Sequence, residues 1–270
     1  MLYQIFQRDG CVMDRQYVCS DDNGERHALR AWFASGLGAN LLEQERAVLD
    51  DLLQDLFGYY LLQLGVATPV DLLSASRIRG RVMMDKELPP RVGACPVRAL
   101  THAVPVSADS VDVVLLHHTL EFAGDPHAIL REVERILIPE GHVVIVAFNP
   151  WSFWGVWRLL RRRRGRPPWC GHFLGMTRIK DWMGLLGFDT VEVRPLFFRP
   201  PLRHEGMMRR MRFLDRAGER WWPLLGGVHV VVAKKRVATL TPIKPRWLRP
   251  KRIALVADAA EPSSGRVING

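Results

Sequence analysis

Cysteine is scarce in this chain and never clustered. Cys11, Cys19, Cys95 and Cys170 lie far apart, with no C-x-x-C pair. Neither a thiolate metal site nor a disulfide framework is expected, no metal is assigned, and reduced thiols fit a cytoplasmic setting. No apolar run approaches the roughly 18–20 residues needed to span a bilayer. The opening MLYQIFQRDGCVMD has neither the positive start nor the long apolar core of a signal peptide. Internal repeats are absent too. Acid is scarce in the second half: residues 1–150 hold 13 Lys/Arg against 20 Asp/Glu, net −7, and residues 151–270 hold 25 against 8, net +17. Eight of the nine tryptophans also follow residue 150. Unless this is a merely solvated basic face, the second half is expected to meet an anionic partner: a membrane surface, nucleic acid or an acidic substrate.

What is present is one sizeable core. At 270 residues and 48% hydrophobic, the chain can bury a single large domain with appendages. Its most informative stretch is SVDVVLLHHTLEFAGDPHAILREVERILIPEGHVVIVAFN, from Ser110 to Asn149. Val111 to Leu116 is a run of β-formers interrupted only by Asp112, as in a strand buried on both faces. Asp125 offers an N-cap and Pro126 suits the first helical position. Ile129, Leu130, Val133, Ile136 and Leu137 share a helical face, Pro139 stops the helix, and His142 to Phe148 forms a second strand. Two parallel strands joined by a crossover helix imply an open α/β sheet that binds ligands at the carboxyl ends of its strands.

The remaining segments extend this pattern. Residues 1–26 are aperiodic and expected to be a loose N-terminal segment. His27 to Phe57 is predicted helical, broken near Gly36 and Gly38, with Leu41, Leu42, Val48, Leu49, Leu52, Leu53, Leu56 and Phe57 on one stripe. Tyr59–Leu64 and Arg81–Asp85 are predicted strands, Val70–Ser76 a short helix between them, and Pro96–Leu100 a weak third strand. The Ser110–Asn149 unit supplies strands four and five. Helices are predicted over Trp151–Arg164, Arg178–Leu186 and the basic stretch His204–Arg220, and strands from Thr190–Val193 and Val228–Ala233. The expected domain spans residues 27–236, with insertions at 151–176 and 196–226, and a basic, proline-rich tail covers 237–270.

The order D-S-V-D-V-V, L-E-F, D-P, L-R-E-V-E-R-I-L and I-P-E-G-H-V-V-I resembles the second half of a class I S-adenosylmethionine (SAM) dependent methyltransferase domain, nearest to the type 11 group. The likeness runs from about Tyr59 to Phe148, and more loosely to Lys234. It implies a doubly wound, mostly parallel seven-stranded sheet with an antiparallel last strand. It also implies SAM as cofactor and an unidentified, small-molecule methyl acceptor.

The resemblance further assigns cofactor-binding roles to Gly65 and Val66 after the first strand, Asp85 ending the second, Leu100, and His117. In the family the first-strand loop reads G-x-G-x-G, because a Cβ there would occupy ligand space. This chain has Gly65-Val66-Ala67-Thr68-Pro69, which keeps only the first glycine. Thr68, Pro69 and Asp71 suggest a capped helix start in compensation. Asp85 can accept two hydrogen bonds from ribose hydroxyls, while Leu100 stands where the family's adenine-binding Asp is expected. His118 and Glu121 are the candidate pocket residues nearest the acceptor, with general-base or packing roles both open.

Trp151, Trp154 and Trp157, followed by Arg158 and Arg161–Arg164, suit a lid over the substrate or an interfacial helix on an anionic membrane. Nucleic acid ranks behind these as a partner. The alternative function is an inactive methyltransferase-like adaptor that uses its basic, Trp-rich half to bind membrane or nucleic acid.

Overall fold

The computed structural model describes residues 23–87, 93–161, 167–201, 205–211 and 213–236. Two helices lead, α1 (Asn23–Phe33) and α2 (Gly36–Gln54), and strands β1 (Tyr60–Leu64), β2 (Gly80–Asp85), β3 (Cys95–Arg98) and β4 (Val111–His117) follow. Helix α3 (Pro126–Ile136) leads into β5 (Leu137–Phe148), then come α4 (Phe153–Arg161), α5 (Met176–Leu185) and β6 (Phe188–Leu196). Helices α6 (Glu205–Arg210) and α7 (Phe213–Trp221) precede β7 (Val228–Lys235). The seven strands form one sheet in the order β3-β2-β1-β4-β5-β7-β6, parallel except for β7, which runs antiparallel to β5 and β6. This is the doubly wound architecture expected from the sequence.

The continuous apolar runs are explained by burial on both faces of the sheet. Leu61, Val113, Leu115, Val144 and Val146 pack on one side with Leu41, Leu49 and Leu53 of α2. Their strand neighbours Leu62, Val114, Leu116 and Ile145 face the other way, onto Ile129, Leu130 and Val133 of α3 and Ile179 and Met183 of α5. Each such side chain contributes about 1.5–3 kcal/mol on burial. Helix α3 starts as its sequence predicts: the Asp125 carboxylate accepts from Ala128 N–H at 3.0 Å, with Pro126 at the first position.

Several boundaries differ from the sequence reading. Helix α3 ends at Ile136 rather than at Pro139, and Leu137 is already the first residue of β5, opposite Val111. Phe57 leaves the apolar stripe of α2 and is 68% exposed. Helix α1 begins at Asn23, inside the segment expected to be loose, while the earlier residues and the 237–270 tail lie outside the described residues. Cys170 is disulfide-bonded, against the expectation of reduced thiols, and Cys95 is free and exposed.

Candidate active site

Register brings the expected cofactor residues to one edge. Leu64 lies opposite Met84 on one side and Leu116 on the other, so Gly65, Asp85 and His117 follow together at the carboxyl ends of three adjacent parallel strands. Gly65 N–H donates to Met84 C=O at 3.1 Å, and its φ of +118° favours glycine. A Cβ at Gly65 would fall 2.2 Å from Thr119 Oγ1, whose hydroxyl donates to Leu64 C=O at 2.7 Å. The glycine is therefore required by packing on Thr119, whatever a ligand also asks of this loop.

The helix predicted over Val70–Ser76 does not form. Thr68 Oγ1 instead donates to Val70 C=O at 2.8 Å, and Asp71 Oδ1 accepts from Leu73 N–H at 2.9 Å, closing local turns. Short polar side chains that bond their own backbone compete with helix formation. The loop therefore has no helix N-terminus to offer a ligand, and Val66 and Ala67 are buried in the core.

Asp85 is fully buried. Its Oδ1 accepts from Lys86 N–H at 2.7 Å, and its Oδ2 lies 3.5 Å from the Arg30 guanidinium of α1. Leu100, expected against adenine, forms an isolated bridge with Ala103 and is 44% exposed.

His117, His118 and Glu121 join a buried network with Glu45 of α2. His117 Nε2 donates to Glu45 Oε2 at 2.8 Å, and His118 Nε2 donates to Glu45 Oε1 at 2.8 Å. His118 Nδ1 donates to Glu121 Oε1 at 2.9 Å, an atom that also accepts from Phe148 N–H at 2.7 Å. No member is more than 2% exposed. Burial disfavours the charge on His118, but Glu45 and Glu121 outweigh it and raise the imidazole to about 10. Burial likewise opposes ionisation of Glu45, yet the His118 charge and bonds from both histidines hold it down to about 2. Burial lowers His117.

The two histidines thus meet carboxylates rather than an open pocket. This corrects the expected place of His118 on the pocket wall and sets Glu121 in the same closed network. His118 also takes a left-handed φ of +45°, an uncommon conformation for a residue with a Cβ. Glu45 escaped sequence reading, although a signal existed. It occupies the core-facing position between Leu41 and Leu49, one turn from each, where a carboxylate needs a buried partner.

An aromatic stack leads outward from this network. His118 stacks on Phe148 with centroids 4.1 Å apart, and Phe148 on Phe173 at 4.8 Å. Phe173 lines a cleft of about 440 Å³ with Pro150, Trp151, Arg158, Leu159 and Arg178. Asn149 braces this side: its amide donates to the carbonyls of Leu224 and Gly226, and its oxygen accepts from Trp151 N–H. The three tryptophans do not share an outer face, since Trp154 is fully buried, Trp157 half-buried and Trp151 79% exposed. What α4 turns outward is apolar in another way: Phe153, Val156, Leu159 and Leu160 are all exposed.

Residues 76–145 match the family described as "Methyltransferase domain". The uncharacterised protein YafS of Escherichia coli is 31% identical over 199 residues, 73% of this chain and 77% of that protein. An uncharacterised protein of Mycobacterium tuberculosis is 30% identical over 181 residues, and the alignment spans 64% of this chain and 62% of that one. Among solved structures, a SAM-dependent methyltransferase and possible histamine N-methyltransferase from Thermotoga maritima superimposes with a TM-score of 0.58 at 17% identity. That superposition covers 78% of this chain and all of the other. A SAM-dependent methyltransferase from Mesorhizobium loti gives a TM-score of 0.51 at 15% identity, over 70% and 96% of the two chains. The likeness in structure is a likeness of fold. The chain belongs to the family of YafS, and its residues 76–145 carry a methyltransferase domain in the class I fold.

Proposed function

We propose that this chain moves the methyl group of SAM to an acceptor held in the cleft beside Phe173. The observation that carries this reading is the meeting of Gly65, Asp85 and His117 across three registered strands. The residues fit the nucleoside half of the cofactor: Asp85 has the carboxylate a ribose diol needs, once Arg30 shares it or yields it. For the methionine half only the main chain of Gly65 and Val66 remains, without a helix dipole, so modest affinity is expected. When bound, SAM supplies a methyl group already activated by its sulfonium. The work left to the protein is alignment and exclusion of water, which the buried stack of His118, Phe148 and Phe173 provides.

Arg178 and Thr177 in a mostly apolar cleft, with the exposed face of α4 alongside, support an acceptor that is both anionic and apolar. The net charge of +17 over residues 151–270 supports access to it at an anionic membrane surface from the cytoplasm. No helix among the described residues is long and apolar enough to cross a membrane. Calorimetric titration with SAM and with its demethylated product tests the proposal. Asp85→Asn should weaken SAM by roughly ten-fold or more, because hydrogen bonds to a charged group contribute about 1.5–3 kcal/mol each. Equal affinity in wild type and variant would sink the assignment of Asp85, and no binding by wild type would sink the whole reading.

A further inference from the structure

We propose that Glu45, His117 and His118 form a site for one divalent transition-metal ion, which clasps α2 to the end of β4. One ligand atom from each residue falls within a 4.8 Å group, and both imidazole Nε2 atoms converge on the same carboxylate at 2.8 Å. Two imidazoles and one carboxylate are a donor set that zinc(II), iron(II) and manganese(II) accept. Metal–ligand bonds of about 2.0–2.2 Å would open each 2.8 Å contact by roughly half an ångström, within reach of side-chain adjustment.

The exchange balances in protons. A divalent ion takes the place of the proton on His118 Nε2, which leaves. His117 moves its proton from Nε2 to Nδ1, where the N–H has no partner, a cost that binding of the ion must outweigh.

The surroundings of His118 also match those of a metal ligand. A ligating imidazole commonly donates its other N–H to a carboxylate, and His118 Nδ1 does so to Glu121, itself fixed by Phe148 N–H. Phe33 and Phe148 pack against the rings and exclude water. Cysteine spacing offered no hint of the site, because the ligands come from positions 45 and 117–118.

The test is metal content. Full-length protein is incubated anaerobically with Zn²⁺, Mn²⁺ or Fe²⁺, desalted, and measured by plasma mass spectrometry. About one equivalent of at least one metal is expected, with a lower melting temperature after chelation, since binding energy adds to folding energy. Glu45→Gln should lose the metal. Retention by wild type of under about a tenth of an equivalent of all three metals overturns the proposal, as does equal occupancy in Glu45→Gln. Should Glu45→Gln fail to fold, X-ray absorption on loaded wild type decides: nitrogen and oxygen ligands support the site, and sulfur overturns it.

Discussion

Gly65 and Thr119 leave no space between them for a methyl group: a Cβ on the glycine would fall 2.2 Å from the threonine hydroxyl oxygen. The hydroxyl cannot simply swing away, because it is bonded to Leu64 C=O on the next strand. The one glycine kept from the family's loop is therefore also required by the protein's own packing at the top of β1 and β4.

Gly65→Ala should cost about 2–4 kcal/mol, combining left-handed backbone strain with overpacking. Urea unfolding measures this. Adding Thr119→Ala should return the packing part and leave the backbone part, so the double variant should lie between Gly65→Ala and wild type. Unchanged stability in Gly65→Ala would mean that Thr119 moves without cost.

Arg30 reaches from α1 to Asp85, the residue expected to hold ribose. If the cofactor must win Asp85 from Arg30, then Arg30→Ala should tighten SAM binding about two- to five-fold, the range of a partly exposed ion pair. Calorimetry separates the outcomes. A weaker affinity in this variant would instead make Arg30 part of the binding site.

His229 of β7 is buried, and neither ring nitrogen has a hydrogen-bond partner. Burial, aided by the nearby Lys180 charge, lowers its pKa from 6.5 to about 4. A lowered histidine pKa means that the unfolded chain binds the proton first. Stability should therefore fall as pH drops from about 6.5 towards 4, by roughly 2 kcal/mol at pH 5 from this group alone. Urea midpoints of wild type and His229→Leu at pH 7 and pH 5 check the sign. An equal acid loss in both proteins would exclude His229 as the source.

The outward face of α4 offers Phe153, Val156 and Leu160 in the strongly basic half of the chain. Wild type should sediment with anionic liposomes at low salt and release at high salt, each basic residue at the surface contributing about 1 kcal/mol. Val156→Asp with Leu160→Asp should abolish sedimentation without altering the melting temperature, since both side chains are solvent-exposed. Binding to RNA alone, with a steep salt dependence, would replace the membrane with nucleic acid.

Much of the fold was legible because its signals are local. Val111–Leu116 has the length and composition of a strand buried on two faces, and Asp125-Pro126 placed the start of α3 to the residue. The tryptophan spacing misled, because three-residue steps drift around a helix. Trp154 turned into the core under Arg199 C=O while Phe153 and Val156 turned outward. The loop after β1 misled for a similar reason. A plausible capping pattern at Thr68–Asp71 lost to side-chain bonds that closed turns instead.

By itself, then, the sequence determined the strands, the crossover helix, the order of elements and the edge where Asp85 and His117 end their strands. Those depend on hydrophobic period and capping within a dozen residues. Only the tertiary structure decided what those residues touch. Glu45 reaches His117 and His118 across more than 70 positions, and Arg30 reaches Asp85 across more than 50. Such contacts depend on how α1 and α2 dock over the sheet, which no local pattern encodes. That docking turned two expected pocket histidines into the centre of a closed, charged network.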